Sequence, residues 1–256
     1  MECTEAPSQL PSKPDAGSRR RVAIVQSNYI PWKGYFDLIN RVDHFVLYDD
    51  VQYTPRDWRN RNRIIAATGP HWLTIPVRHL ERSQKIQEIT VADADWAGRH
   101  WRSIAKAYGR APGFAEHREF FETLYLGPQP DHLSEINHRF LRAICDLLGI
   151  PTTFSWSRDW LPRGDRSERL LDVCLQLGAS VYVSGPSARC YLDEARFQEA
   201  GVAVEWMSYD HYPEYPQRHG QAFVHEVSVL DLILNVGAEG AWQYLRSPRR
   251  VVRLPA

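Results

Sequence analysis

Two short apolar segments near the start of the chain each end in polar side chains, and this pattern constrains the fold more than any other feature. The first segment, 22–25, is followed by QSN, and the second, 45–48, is followed by DDVQ. A short amphipathic helix is predicted between them, which gives a β-helix-β unit with a right-handed crossover between parallel strands. In open sheets of this kind, ligands bind at the carboxyl ends of the strands. The pattern therefore predicts a ligand-binding edge at residues 26–28 and 49–52.

The rest of the chain alternates between predicted strands and predicted helices. A helical block is predicted at 96–108, 114–126 and 131–148, with Gly149 capping its last helix. Strands then alternate with helices up to residue 235. This order predicts an α/β fold, a mostly parallel Rossmann-like sheet with helices on both faces and an inserted helical subdomain.

The same pattern divides the chain into units. They are a disordered leader at 1–20, the first half of the α/β domain at 21–92, the helical subdomain at 93–150 and the second half of the α/β domain at 151–256. Within the first half, the Arg- and Asn-rich stretch 51–65 is interpreted as a loop or short helix. Residues 72–77 and 86–91 are predicted to be two strands that pair with each other.

Composition and charge are those of an ordinary globular protein. Hydrophobic residues make up 43% of the chain, charged residues 24%, and the formal net charge is zero, so no nucleic-acid partner is expected. No apolar run reaches membrane-span length, and the N-terminal residues lack the apolar core of a signal peptide. The four cysteines form no CxxC motif. We therefore expect a reduced, cytoplasmic protein, whose oligomeric state the composition leaves open.

Asp49 and Asp50 are the first candidates for chemistry, because they directly follow a predicted strand. Paired carboxylates can hold Mg²⁺ through hard oxygen ligands, or one can act as a general base if its partner raises its pKa. The structural alternative is that one carboxylate caps a turn and the other pairs with Arg56 or Arg59. The sequence leaves these alternatives open.

The arginine-rich run at 56–63 is a candidate anion-binding segment. Arg59 has the forked side chain that suits carboxylates and phosphates, and Asn60 suits a sugar hydroxyl or an amide. Arg61 and Arg63 are interpreted as solvated charges.

Two turns after predicted strands are further candidates for phosphate or oxyanion binding. The polar turn at 26–34 places backbone N–H groups at a helix start, with Lys33 close by. The loop Ser184-Gly185-Pro186-Ser187 offers hydroxyls and backbone donors. A simple helix cap and a bare turn would have similar sequences.

The segment 210–217, DHYPEYPQ, predicts a stiff loop that lines a pocket. His211 is its best general-base candidate by side-chain type, although a lone histidine in an aromatic loop more often has a structural role. Cys190, which follows the loop 184–187, is a weaker candidate for a nucleophile, because the sequence shows no histidine partner for it.

An ordered set of short motifs resembles the WbqC-like protein family. The set spans residues 22–237 and includes QxxYxPWxGYF from Gln26, DDVQ from Asp49, WRNR from Trp58, YxSGP from Tyr182 and YxQ from Tyr215. The resemblance implies a role beside enzymes of O-antigen, capsule or natural-product biosynthesis. It also implies acyl- or aminoacyl-group transfer to an amino sugar or a carrier-bound metabolite.

The first strand followed by PWxG is also distantly similar to nucleotidyltransferases of the HxGH type. The two histidines of that motif are absent here, and Lys33 and Tyr35 stand near their places. This difference counts against adenylyl transfer.

We therefore expect a transferase that acts on a small-molecule or carrier-protein-bound substrate, without a bound metal or cofactor. The predicted catalytic residues are Asp49, Asp50 and His211. The predicted substrate-binding residues are Gln26, Tyr29, Trp32, Lys33, Gln52, Arg59, Asn60, Ser184, Gly185, Ser187, Tyr215 and Gln217. One alternative is a nucleotidyl- or glycosyltransferase-like enzyme with Mg²⁺ on the two aspartates. Another is a non-catalytic binding protein of a biosynthetic complex.

Overall fold

A computed structural model describes residues 19–219 and 222–250, and the predicted leader lies almost entirely outside this range. The strands are β1 (Arg21–Val25), β2 (His44–Leu47), β3 (Arg61–Ala66), β4 (Gly69–Thr74), β5 (Val77–Arg78), β6 (Thr90–Val91), β7 (Thr153–Trp156), β8 (Val181–Ser184) and β9 (Ala203–Trp206). The α-helices are α1 (Lys33–Asn40), α2 (Trp96–Tyr108), α3 (Phe114–Leu126), α4 (Leu133–Leu148), α5 (Arg166–Gln176), α6 (Glu194–Glu199) and α7 (Val229–Ala241).

Five parallel strands form the central sheet, in the order β7-β2-β1-β8-β9. Successive residues of β1 point to opposite faces, as in any strand, so each face needs its own cover. Ala23 packs in a core with side chains of α1, α4 and α7, whereas Val22 and Ile24 pack in a second core with side chains of α5 and α6. The predicted α/β class with helices on both faces is confirmed.

The strand order reverses between β1 and β8. From β1 the chain continues to β2 on one side, and the later strands β8 and β9 lie on the other side. At such a point the connections leave toward opposite faces, so a crevice opens beyond the carboxyl ends of the two strands. The fold therefore places any binding site of this kind next to the residues that follow β1 and β8.

The predicted helical block is confirmed at α2, α3 and α4. Gly149 ends α4 in the left-handed conformation with φ 70°, which is the C-terminal cap that the sequence predicted. Side chains of all three helices share one apolar core with one face of the sheet. The division of the chain into separate units stays a prediction. Among the described residues, no helix combines the length and the apolar character needed to cross a membrane.

The small antiparallel strands differ from the prediction for residues 51–91. Residues 61–65, expected in a loop or short helix, belong to β3, which pairs with β4. Only the short β5 and β6 pair with each other. In β3 the buried Asn62 and Ile64 alternate with the more exposed Arg61 and Arg63. The alternation of buried and exposed residues that is typical of a strand is therefore present, but one of the buried residues is an asparagine. A search for alternating apolar residues misses such a strand.

Candidate functional site

A cleft of about 950 Å³ lies where the strand order reverses. Three of its lining residues each lie three positions beyond a strand end: Asn28 after β1, Ser187 after β8 and Tyr209 after β9. The other lining residues are Pro31, Trp32, Trp58, Asn62, His211, Tyr212, Glu214, His225 and Glu226. The cleft therefore occupies the position in which open parallel sheets bind ligands.

One wall of the cleft is a cluster of aromatic rings. The ring of Trp32 lies edge-to-face with the rings of Tyr209 and Tyr212, at centroid distances of 5.3 Å and 5.2 Å. A Cβ atom on Gly34 would come within 2.3 Å of the Trp32 ring, so only glycine lets that ring lie across the start of α1. These rings present a large apolar surface with polar tips, which is a common lining of small-molecule sites.

Tyr212 is fixed in this wall by a buried carboxylate. Its hydroxyl donates to Asp37 Oδ2, and the backbone N–H groups of Arg246 and Ser247 donate to the same carboxylate at 2.9 Å and 2.7 Å. Asp37 lies in α1 and is fully buried. This role of Asp37 was not predictable from the sequence, because its partners are more than 170 positions away.

The turn after β1 is held in a strained conformation at the edge of the cleft. Ile30 has φ 37°, which is a rare value for a β-branched residue. The Asn62 side-chain amide donates to the carbonyl oxygens of Tyr29 and Ile30, at 3.1 Å and 2.9 Å, and so clamps the turn. Strain of this kind persists only where the surroundings enforce it, and it concentrates at functional sites.

Arg59 lies beside the cleft in a cradle of neutral groups. Its guanidinium donates to the side-chain oxygens of Asn28 and Gln26. Among the described residues, Asp57 is its carboxylate partner, at a longer N···O distance of 3.5 Å. Arg59 therefore positions Asn28 at the cleft. Arg59, which was predicted to bind an anion, does not itself line the cleft.

The cleft lining contains two glutamates and two histidines. Glu214 lies 3.8 Å from His225, and Glu226 pairs with Arg63 at 2.7 Å. His211 is exposed and lies in the left-handed region with φ 57°. The lining includes no lysine or arginine among the residues that the structure describes. The lining therefore contributes carboxylates and no cationic lysine or arginine of its own, although Arg63 beside it neutralises Glu226. Such a lining suits a cationic or hydroxyl-rich ligand.

Asp49 lies behind the cleft. Its carboxylate is fully buried and accepts hydrogen bonds from the Ser27 backbone N–H, at 2.8 Å, and from the Ser134 hydroxyl. Burial raises the pKa of Asp49, and these hydrogen bonds oppose the rise. The carboxylate thereby ties the end of β1 to α4.

Asp50 points to different partners. It pairs with Arg169 of α5 and accepts a hydrogen bond from the Ser157 hydroxyl. The two adjacent carboxylates therefore do not share a site, and each is occupied by donors that a cation would have to displace. This donor set does not fit the Mg²⁺ of the alternative hypothesis. Among the described residues there is also no group of three or more His, Cys, Asp or Glu side chains suited to a metal ion.

Several other predicted site residues have partners away from the cleft. The Tyr29 hydroxyl bonds with His100 Nδ1 and with the Tyr125 hydroxyl, and the side chain is fully buried. The Asn60 amide donates to the Ile75 carbonyl at 2.9 Å, and the Gln52 amide donates to the Arg82 carbonyl at 2.7 Å.

The residues around 184–187 divide between core and cleft. Ser184 is buried, and its hydroxyl donates to the Tyr182 hydroxyl at 3.3 Å. Gly185 lies beneath the ring of Tyr209, whose hydroxyl would be 3.6 Å from a Cβ at that position. Ser187 lines the cleft. Cys190 is exposed, and its thiol donates to the Ser187 carbonyl at 3.1 Å.

Tyr215 and Gln217 converge on a buried carboxylate behind the same loop. The Tyr215 hydroxyl donates to Asp231 at 2.6 Å, and the Gln217 amide donates to it at 2.9 Å. Lys33 is buried nearby, donates to the Pro213 carbonyl and lies 5.0 Å from the centre of the Tyr215 ring. Burial lowers the pKa of Lys33 to about 8. These three residues support the loop that carries His211 and Glu214.

Of the residues predicted from sequence, the structure brings Trp32, Ser187 and His211 together at the cleft, with Gln26 and Arg59 directly behind Asn28. Six further lining residues lie in segments that were predicted to form the site, although they were not singled out within them: Asn28, Pro31, Trp58, Asn62, Tyr212 and Glu214. Sequence reasoning missed Tyr209, His225 and Glu226. For Tyr209 the available signal was its place just beyond a strand, and for Glu214 its place in the segment predicted to line a pocket. His225 and Glu226 carried no comparable signal.

Comparison with known proteins gives a family and no activity. The model of the WbqC-like protein family matches residues 26–242. "Uncharacterized protein Rv1507c" of Mycobacterium tuberculosis (strain ATCC 25618 / H37Rv) is 50% identical over 232 residues, which cover 90% of this chain and 100% of that protein. No solved structure matches the chain. The matched region contains every residue of the cleft lining, and the chain belongs to the WbqC-like protein family.

Proposed function

We propose that this chain is a transferase that moves an acyl or aminoacyl group onto the amine of an amino sugar or of a carrier-bound metabolite. The observation that carries the proposal is the acidic, aromatic cleft at the reversal of strand order, which combines carboxylates, imidazoles and side-chain amides in one place. Its donor is a thioester of a carrier protein, which needs no metal. The predicted role beside enzymes of polysaccharide or natural-product assembly belongs to the same proposal.

The lining supports an amine-bearing acceptor. Glu214 attracts an ammonium group, and Glu226 joins it when a ligand displaces it from Arg63. The faces of Trp32 and Tyr209 add cation–π attraction and packing for the apolar face of a sugar ring. Asn62 and Asn28 lie where amide groups can recognise hydroxyls. A site with these groups favours a ligand that is cationic and polar over one that is anionic.

His211 is the proposed general base. It is exposed in the cleft, and imidazole is the side chain that most readily exchanges a proton near neutral pH. The ammonium first loses one proton to solvent, and the free amine attacks the carbonyl carbon of the thioester. As the C–N bond forms and the C–S bond breaks, the second proton passes to His211, which returns it to the leaving thiolate. Ser187, in the loop after β8, is the proposed donor to the oxyanion.

The test is an amide-forming assay with matched variants. The purified protein is incubated with amino sugars and with acyl- and aminoacyl-carrier thioesters, and the amide product is followed by mass spectrometry. We expect His211→Asn to lower the rate by roughly 10²–10⁴-fold, the range of general acid–base catalysis, with an unchanged unfolding midpoint. Asparagine tolerates the left-handed backbone at this position.

His71→Asn is the matched control, because His71 is exposed in β4 and does not line the cleft. Equal loss of rate in both variants would contradict the role of His211. If no thioester and amine pair gives an amide, while amino sugars still bind and binding depends on Glu214, the proposal of transfer is wrong and the alternative of a binding protein is supported.

A further inference from the structure

A second cavity of about 280 Å³ adjoins the cleft on the β3–β4 hairpin. Its lining shares Trp58 and Glu226 with the cleft and adds Arg56, Asp57, Arg61, Arg63 and Trp72. We call this cavity the arginine groove. Because two residues belong to both linings, one ligand can occupy the cleft and the arginine groove together.

Arginines and tryptophans are layered in the arginine groove. The guanidinium of Arg61 lies 4.3 Å from the centre of the Trp72 ring, and that of Arg63 lies 5.4 Å from Trp72 and 5.7 Å from Trp58. The two tryptophan rings lie 5.4 Å apart. Stacking on a ring does not use the N–H groups of a guanidinium. Arg61 donates to the Arg56 carbonyl, and Arg63 donates to the Glu226 carbonyl at 3.0 Å and to the Glu226 carboxylate at 2.7 Å, so a phosphate uses the remaining N–H groups or displaces these acceptors.

The hairpin register fixes this layering. Arg63 pairs with Trp72 across β3 and β4, and Arg61 is two positions along on the same face. Trp72 remains 41% exposed, which is unusual for a tryptophan and leaves ring surface available to a planar group. Both features come from ordered strands, so the groove is preformed.

The cleft and the arginine groove differ in the sign of their charge. The groove lining holds three arginines against Asp57 and Glu226, whereas the cleft lining holds Glu214 and Glu226 and, within the described part of the chain, no lysine or arginine. A ligand that carries an amine at one end and phosphates at the other matches this polarity. Glu226 lies at the junction, where it pairs with Arg63 at 2.7 Å. A phosphate that takes over Arg63 leaves Glu226 free to face the amine.

We propose that the arginine groove binds the nucleoside diphosphate end of a nucleotide-linked amino sugar whose amine enters the cleft. The diphosphate lies against Arg61 and Arg63, and the base stacks on the exposed ring of Trp72. The assignment of the amine end rests on the proposed function. The assignment of the nucleotide end rests on the groove alone.

The test is calorimetric titration of the full chain with uridine diphosphate, uridine and inorganic pyrophosphate, without any acyl donor. We expect uridine diphosphate to bind at least about tenfold tighter than uridine or pyrophosphate, because the two charge-assisted contacts and the stacked base act together. Arg61→Gln should weaken the binding of uridine diphosphate by about tenfold. Arg61→Lys should weaken it by less, because lysine keeps the charge without the forked geometry of the guanidinium. Trp72→Ala should weaken the binding of uridine diphosphate to a similar degree and leave the affinity for pyrophosphate unchanged.

Arg158→Gln is the matched control. Its guanidinium lies 4.9 Å from the ring of Trp156, so the variant removes another arginine stacked on a tryptophan, outside the groove. Unchanged binding in Arg158→Gln together with the losses above supports the proposal. Equal weakening in Arg158→Gln and Arg61→Gln overturns it, as does pyrophosphate binding as tightly as uridine diphosphate. Single-stranded oligouridylate that binds more than tenfold tighter than uridine diphosphate would identify a nucleic-acid surface instead and also overturn it.

The two proposals fail separately. If a free amino sugar is acylated but uridine diphosphate does not bind, the groove assignment is wrong and the proposed function stands. If uridine diphosphate binds in the groove but no thioester gives an amide, the groove assignment stands and the transferase is wrong.

Discussion

Two polar loops at the same edge of the sheet have opposite properties. The loop after β2 carries Asp49, which is fully buried, and Asp50, whose side chain is 10% exposed. Serine and arginine donors hold the oxygens of both carboxylates. The loop after β9 carries His211, which is exposed, and Glu214, whose side chain is 66% exposed, and both line the cleft. One loop holds the framework together and the other faces the ligand space.

The difference follows from strand order. β2 lies between β7 and β1, inside one half of the sheet, and Ser134 of α4 and Ser157 after β7 donate to the carboxylates beyond its end. The crevice opens between β1 and β8, where the order reverses. A polar residue at a strand end is therefore weak evidence for a site until its own hydrogen-bond partners are known.

The largest effect that tests this comparison is on stability at Asp49. Asp49→Ala leaves the Ser27 N–H and the Ser134 hydroxyl buried without their acceptor. At roughly 1–3 kcal/mol for each lost partner, we expect the free energy of unfolding to fall by about 4 kcal/mol in urea titration. Ser187→Ala in the cleft is the control, and it should change stability by less than about 0.5 kcal/mol. If the two variants lose similar stability, the division into framework and cleft is wrong.

A second effect, of about 3 kcal/mol, comes from the buried imidazole of His100. Its Nε2 donates to the Thr74 carbonyl at 3.1 Å, so Nδ1 accepts from the Tyr29 hydroxyl at 2.9 Å. Burial lowers the pKa of His100 from 6.5 to about 4, although the hydrogen bond to Thr74 raises it. Between these values the unfolded chain binds a proton that the folded chain does not.

The free energy of unfolding should therefore fall as the pH drops from 6.5 to about 4, and the contribution of His100 should be fully present above pH 6.5. Urea titrations across this window measure the slope, and about 3 kcal/mol corresponds to the full shift. His100→Gln should be less stable at neutral pH, and its free energy of unfolding should change less with pH between 6.5 and about 4, because the contribution of His100 is absent. An identical slope in the wild type and in His100→Gln would mean that folding does not lower the pKa of His100.

Most of the central fold was predictable because its signals are local. The strands of the sheet and the three helices of the inserted block follow from apolar periodicity, and the end of α4 follows from Gly149. Strand β3 was not predictable in this way. It buries Asn62, whose amide clamps the turn at Ile30, 32 positions away.

The candidate site was less predictable for the same reason. Trp32 and Ser187 were found because they lie in turns that follow predicted strands, and His211 was found by its side-chain type in a loop predicted to line a pocket. Asp37 was missed because its role depends on Tyr212, which is distant in sequence. Asp49 was singled out by position, but position does not reveal that Ser134 of α4 occupies its carboxylate. Long-range partners therefore decide between framework and site, and sequence alone does not supply them.

The smallest effect concerns Asp50, which forms an ion pair with the partly exposed Arg169. Because this pair is less buried than Asp49, it is the most demanding test of the difference between the two loops. Arg169 is 28% exposed, so solvent screens the pair, and we expect Asp50→Asn to cost only about 1 kcal/mol. A double-mutant cycle with Arg169→Gln isolates the interaction from the hydrogen bond that Ser157 donates to Asp50. The coupling energy should shrink in 1 M salt, where the screening length is about 3 Å. The contrary result is that Asp50→Asn leaves stability unchanged and abolishes amide formation in the transfer assay. Asp50 would then belong to the reacting site, and the loop after β2 would have the same role as the loop after β9, despite its hydrogen bonds.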